Sequence, residues 1–396
     1  MNDEIMATTQ GKFSMLNFIK EVCDEIGPRF GTTESELKAG LKIKGILESQ
    51  TDEVIMEDFE CHPRAFLDFT RVAFVVALIG TILFIWFPII SFLLYLYALS
   101  IYGLEQMFLK EYVDFFFPKR TGSNVIGKLK PVKEPKQIVI VSGHHDSAWE
   151  FPLFEKFKSN FRYIAFSTAG LIFLAAIISL IKFILDILGI TSLMITLILL
   201  IVPILALIMM AYLALKIHSK NVILGANDNL SAVAVVLALA EHFSTRKLQN
   251  IELWCISFAC EECMRGSKRF VKRHQDELKD SKTINLDMIG EGTLSIISAE
   301  PYFTARHSME LAKEFQESTK RANVEMPIKV LKFGGSDAAN FSKKKLEAIS
   351  IFGLTPQDHP STWHEMADTP EIIDEKLLEN TLKAIIQYLE DLDARL

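Results

Sequence analysis

Three uncharged apolar runs constrain this chain more than any other feature. Val72 to Leu104 holds no Asp, Glu, Lys or Arg across 33 residues, Tyr163 to Ile181 none across 19, and Ile187 to Leu215 none across 29. A helix rising 1.5 Å per residue needs about 20 apolar residues to cross a hydrocarbon core about 30 Å thick, and buried helices of soluble domains are usually shorter. The last two runs read as a membrane hairpin with its turn around Lys182 to Ser192. The first run is too long for one span, and Pro88 near its middle ends or kinks a helix. It reads as helices over 72–87 and 89–104, or as one long kinked helix.

Basic residues flank the runs on the side away from these turns: Arg64, Arg71, Lys110, Lys119, Arg120, Lys156, Lys158, Arg162, Lys216 and Lys220. The turns offer only Lys182. The positive-inside bias therefore predicts both termini and every long polar segment in the cytoplasm of an integral membrane protein. Charged residues scattered over positions 1–30 leave no secretory signal. Five cysteines in 396 residues do not make a disulfide scaffold, and free thiols suit a reducing compartment. The net charge of −7 argues against a nucleic-acid coat.

Outside the runs, short Val- and Ile-rich segments alternate with helical patterns. Gln137–Ser142, Ile251–Ala259, Thr283–Ile289, Ile328–Phe333 and Ala348–Phe352 read as strands; 229–243, 267–278, 301–321 and 372–392 read as helices. Near-continuous apolar strands call for a sheet covered on both faces, hence a layered α/β fold. The chain divides into 1–71, 105–162 and 216–396, which form the polar domain, and hairpins at 72–104 and 163–215.

The predicted strands end in acidic or imidazole groups. His144 and Asp146 share one face of the strand, and His145 points away. A carboxylate two residues after a histidine fits a metal ligand and its orienting partner. Asp228 lies in Gly225–Ser231, which in isolation reads as a helix cap. Glu261 and Glu262 follow an apolar strand, where two unpaired carboxylates cost several kcal/mol to desolvate. A cation on one would leave the other to handle a proton. Cys260 and Cys263 form a C-x-x-C without the second pair a zinc ribbon needs, which argues against a thiol metal site. Asp287 sits in an apolar strand, and His359 and His364 are late candidates, with Asp368 four residues after the second. Mixed His and carboxylate ligands on strand ends suit two zinc ions.

The ordered series GHHDS, GANDNLSA, EECMRGS, NLDMIG, GGSDAANF and WHEMADT resembles the M28 family of metallopeptidases, the dizinc aminopeptidases. Phe18 to Arg29 looks like that family's opening helix and Val54 to Glu60 like its early strand. The resemblance implies a three-layer α/β/α zinc-peptidase domain with a mixed central sheet, interrupted by hairpins of about four spans. It implies that His144 and Asp287 bind one Zn2+, that Glu262 and His364 bind another, and that Asp228 bridges them. Other divalent metals are compatible with the same ligands. Asp146 would orient His144, Glu261 would be the general base, and Asp368 would support His364. The implied activity is removal of N-terminal residues from peptides at a bilayer surface. Glutaminyl cyclase or carboxypeptidase action on the same fold, and a non-catalytic receptor or scaffold, are the alternatives. Residues 1–60 and GHHDS belong to one domain in this reading, so the first run must cross twice or re-enter. Phe333, Phe341, Phe352 and Trp363 are candidates for pocket walls, although core packing is the ordinary role for each.

Overall fold

The computed structural model describes residues 13–396. Residues 1–12, which carry part of the reading against a secretory signal, lie outside them. Strands β1 (Glu53–Cys61), β2 (Arg120–Leu129), β3 (Gln137–His144), β4 (Ile251–Phe258), β5 (Lys282–Asp287), β6 (Thr293–Glu300), β7 (Ala305–Arg306), β8 (Ile328–Val330) and β9 (Glu347–Leu354) form one sheet. Its order is β1-β2-β4-β3-β5-β9-β6-β7, with β8 also on β6. The centre, β4-β3-β5-β9, is parallel, and β1, β2, β6 and β7 add antiparallel pairs at the flanks. The mixed α/β fold expected from the alternation is thus present.

Strand side chains alternate between two buried layers, as a sheet covered on both faces requires. Val139, Val141, Leu253 and Cys255 pack beneath helices Met15–Glu25, Glu34–Glu48, Ser231–Thr245, Met309–Arg321 and Glu375–Arg395. Ile140, Trp254 and Ile256 pack on the other face with Phe270 and Phe341 from helices Gly266–His274 and Ala338–Ser342. Phe341 is therefore core. Helix Ser231–Thr245 approaches β3 closely: a Cβ at Gly143 would lie 2.7 Å from the Ala232 Cβ.

The sequence reading missed β2, β6 and β7. Gly122 and Gly127 and the polar Thr121, Ser123, Asn124 and Lys128 dilute the apolar signal of β2, although its register against β1 is unbroken over nine pairs. The predicted helix over 301–321 begins only at Met309, because 301–306 first forms a short turn and β7.

The chain separates into two compact units. The sheet unit comprises residues up to Pro63, Lys119–Glu150 and Lys220–Leu396; the helical unit comprises Arg64–Pro118 and Phe151–Ser219. These units meet at other residues than the sequence division at four edges. Residues 64–71, 105–118, 151–162 and 216–219 belong with the helices. The first helix starts at Ala65 because charged residues inside its first turns pair with one another. Buried Asp68 meets Arg64 at 2.7 Å, Arg71 at 3.1 Å and His218 at 3.1 Å.

Both excursions leave and return through neighbouring backbone. Cys61, the last residue of β1, pairs with Arg120, the first of β2. Trp149 forms an isolated antiparallel bridge with Val222, flanked by Glu150 N–H donating to Asn221 O and Ile223 N–H to Ala148 O, both 3.0 Å.

In the helical unit, Ala65–Leu83 and Pro88–Tyr102 form the first hairpin, with Pro88 opening the second helix as a first-turn proline can. The single kinked helix is excluded. Phe161–Ile187 and Leu193–Lys216 form the second hairpin. Lys182 lies inside a helix, paired with Asp186 at 2.8 Å, and the turn is shortened to 188–192. Among the described residues, four helices are long and apolar enough to cross a membrane: Ala65–Leu83, Pro88–Met107 (a π-turn extends the helix), Phe161–Ile187 and Leu193–Lys216. Ala73, Ala77, Tyr95, Ala98, Ala175, Ala176, Ala206 and Met210 pack between them. Small residues let backbones approach, and hydroxyl pairs join helices: Thr81 to Tyr95 at 2.6 Å, Ser91 to Ser179 at 3.1 Å. Large apolar side chains such as Ile82, Phe166, Leu197 and Ile208 face outward.

Replacing Gly143 by valine should lower stability by about 1–3 kcal/mol or more, because the added atoms meet Ala232 backbone and side chain in a packed layer. Chemical denaturation of the detergent-solubilised protein checks this; an unchanged midpoint would show that the strand and helix can separate freely.

Candidate metal centre

The connections leaving β3 and β5, neighbours at the centre of the sheet, run in opposite directions, which opens a crevice at the carboxyl ends of these strands. His144 is the last residue of β3 and Asp287 the last of β5. Glu261 and Glu262 lie in the short 3-10 turn that follows β4, and His364 lies in the loop after β9. Asp228 lies just ahead of the helix Ser231–Thr245.

Asp228 sits between two imidazoles. Its Oδ1 is 3.3 Å from His144 Nε2 and its Oδ2 is 3.5 Å from His364 Nε2. Glu262 Oε2 is 3.0 Å from His364 Nε2, and Glu261 Oε2 is 3.5 Å from His144 Nε2. His144, Asp228 and Glu262 offer ligand atoms all within 4.8 Å of one another. Asp287 falls outside that tight group but lines the same pocket as Asp228, Glu261 and His364. All seven predicted site residues are thus gathered at one end of the sheet; His359 is turned to the carbonyl of Pro360.

Asp146 does more than face His144, whose Nδ1 is 3.3 Å from its Oδ1. It also accepts the backbone N–H of Glu261 at 3.0 Å and of Glu262 at 3.1 Å. One carboxylate therefore fixes a histidine and the Glu-Glu turn together. Asp368 braces the loop that carries Asp228, its own carboxylate accepting the backbone N–H groups of Asn227 at 2.6 Å and Asp228 at 2.9 Å.

The segment around Asp228 is no helix cap. Asn227 accepts from Gly290 N–H, Asn229 accepts from Met288 N–H and donates to Leu286 O, and Ser231 accepts from Ile289 N–H. These bonds stitch the loop to the strand end carrying Asp287. Gly225, at φ +63°, admits no side chain, because a Cβ would lie 2.4 Å from Asp228 O.

Sequence reasoning gave no role to Arg29, placed it within a helix that in fact ends at Glu25, and passed over Asp337. Arg29 is fully buried and donates to the carbonyls of Gly27, Leu224, Gly225 and His145. The only signal was its place after Gly-Pro. Asp337, inside GGSDAANF, is fully buried, and burial pushes its carboxyl up to about 7.

The donor set fits divalent cations. Burial pushes the carboxyls of Glu261 and Asp287 well above the usual range and Glu262 to about 7, with neighbouring carboxylates adding to the effect. Asp228 Oδ2 and Glu262 Oε1 are buried without a hydrogen-bond donor. So many like charges cannot all ionise in a dry pocket without cations.

The family model of peptidase family M28 matches residues 208–389, a span that includes Asp228, Glu261, Glu262, Asp287 and His364. No curated protein matches the chain. Among solved structures, the zinc aminopeptidase BSAP from Bacillus subtilis is similar at 14% identity and TM-score 0.55, over 96% of this chain and 94% of that one. The aminopeptidase from Aneurinibacillus sp. strain AM-1 is similar at 15% identity and TM-score 0.55, over 94% and 92%. The glutaminyl cyclase from Bacteroides thetaiotaomicron is similar at 14% identity and TM-score 0.54, over 96% and 97%. The M28 resemblance read from the ordered motifs is supported by the family match, and the structures share the fold.

Arg29→Lys should destabilise the protein by about 2–4 kcal/mol, since one ammonium cannot serve four carbonyls and leaves buried acceptors unpaired. A thermal melt in detergent reads the effect; a melt superimposable on wild type would remove Arg29 from the supports of the site.

Proposed function

We propose that the chain is a membrane-anchored dizinc aminopeptidase, its soluble unit facing the cytoplasm. The observation that carries the reading is Asp228, whose two oxygens face two different histidines, with Glu262 beside one and Glu261 beside the other. His144, Asp287 and Asp228 would hold one Zn2+, and Glu262, His364 and Asp228 the other. When bound, these ions supply Lewis acidity toward the scissile carbonyl and the attacking water. Glu261 takes the proton from that water and delivers it to the leaving amine; its buried position favours a carboxylate that readily carries a proton. Asp146 holds His144 and the Glu261 backbone in register through that transfer.

The pocket also supports an N-terminal rather than a C-terminal substrate. Asp228, Glu261, Asp287, Leu331, Phe333, Gly334, Gly335, Phe352, Pro360, Trp363 and His364 line it, and none is Lys or Arg. Without a lysine or arginine, the lining offers no side-chain partner for the free carboxylate of a C-terminal substrate. Phe333, Phe352 and Trp363, expected to be core, form the apolar wall and favour an apolar first side chain.

Hydrolysis of aminoacyl reporters by the zinc-loaded protein should require a free amino group, and Glu261→Gln should lower kcat by about 10²–10⁴-fold. Undiminished turnover in that variant would eliminate the base. Ammonia release from N-terminal glutaminyl peptides without amino-acid release would favour cyclisation instead.

Orientation has its own test. The sheet draws strands from three segments, so each hairpin must bring the chain back to its starting side. Single cysteines at Lys38, Lys133 and Lys247 should be shielded from an impermeant label in intact cells, while one at Ile190 reacts. Reaction at Lys38 and Lys247 from opposite sides would sink the four-span arrangement.

A further inference from the structure

We propose that Cys61, Cys260 and Cys263 form a separate thiolate site for one soft d10 cation, Cu+ or Zn2+. The C-x-x-C motif lacks a partner pair in sequence, but the fold supplies a third thiol from 199 positions away. Cys61 ends β1, and its Sγ lies 3.9 Å from Cys260 Sγ. All three sulfurs lie within 4.8 Å of one another.

Three thiolates around a cation at metal–sulfur distances of about 2.3 Å stand about 4.0 Å apart, so the observed triangle needs to close by less than about 1 Å. A planar three-sulfur site holds its ion within the triangle and requires no further cavity. The side chains are 1%, 0% and 2% exposed, and no disulfide joins them. Cys23 and Cys255 are buried as well but belong to no such group, as expected of thiols that merely pack.

The surroundings suit a thiolate cluster. Gly31, in the turn before helix Glu34–Glu48, and Gly122, on β2, back onto Cys260 Sγ, where an added Cβ would come within 3.1 Å and 3.0 Å, so no side chain stands between the sulfur and that backbone. Fully buried Arg265 donates to Cys263 O at 3.0 Å and places a positive charge beside the cluster. Glu36 Oε2 lies 3.9 Å from Cys260 Sγ, an oxygen donor for a fourth position, which Zn2+ would use and three-coordinate Cu+ would not. Binding forms three metal–sulfur bonds and releases the three thiol protons to solvent. No donor is shared with the His and carboxylate pocket. The bound ion would tie the end of β1 to the turn carrying Glu261 and Glu262.

The test uses full-length protein produced in medium supplemented with Cd2+ and purified under reducing conditions. Wild type should show a thiolate-to-metal charge-transfer band, which the oxygen and nitrogen donors of the other pocket cannot give. Cys61→Ser and Cys263→Ser should each abolish the band and one equivalent of bound metal, while Cys23→Ser keeps both. X-ray absorption on wild type should report three sulfur neighbours and does not depend on any variant folding. Absence of the band and of sulfur neighbours in wild type overturns the site, as does a band that persists in Cys61→Ser or a disulfide among the three thiols. Parallel preparations with Zn2+ and Cu+ distinguish the two cations, and retention of neither as a third class of bound metal also overturns the proposal.

Discussion

Carboxylates crowded at the ends of parallel strands are the constraint on which the rest of this structure depends. Asp146, Asp228, Glu261, Asp287 and Asp337 are buried together, and few of the nearby groups are cationic. Burial and neighbouring carboxylates hold Glu261, Asp287 and Asp337 above the usual carboxylate range. The surrounding architecture holds them in place. Asp146 and Asp368 accept backbone N–H groups from the very loops that present Glu261, Glu262 and Asp228. Arg29 pins the loop backbone at Leu224 and Gly225. These bonds fix backbone rather than cancel charge, so the site is rigid and still electrostatically unsatisfied. That combination is what a cation-binding centre requires.

Much of this was legible in the chain. Ligand-type residues stood at predicted strand ends, and a strand end is where a parallel sheet exposes side chains to a crevice. The order of those residues carried more information than any one of them. What the sequence concealed was the role of neighbours. The Asn and Ser residues of GANDNLSA have the composition of a helix cap, and only the fold shows them bonding across to 286–290. Cap chemistry and loop-stitching chemistry use the same side chains, so composition could not separate them. Strand β2 was hidden for a related reason: Gly and polar residues lower its apolar signal, and its identity comes from pairing with β1.

The runs were legible as long apolar helices because length and lack of charge suffice for that. Their edges were not. Asp68 pairs with Arg64, Arg71 and His218, and Lys182 pairs with Asp186. A charge count stops at the first ionised residue, whereas a helix continues through it when a partner lies one turn away.

How a catalytic-type sheet tolerates two long interruptions follows from where they are inserted. The first replaces the connection between cross-strand neighbours Cys61 and Arg120; the second begins and ends beside the Trp149–Val222 bridge. In each case the sheet side is already closed by backbone hydrogen bonds. Loop-closure entropy grows only logarithmically with length, by about 0.6 kcal/mol per doubling. A tight turn can therefore give way to a hairpin of helices at small cost to the sheet, provided the hairpin supplies its own packing. Ala73, Ala77, Ala98, Ala175, Ala176 and Ala206 supply it by bringing the helices together. The even number of long apolar helices is then no accident of composition. Each insertion must end where it began, and only paired helices return the chain to the strand it left.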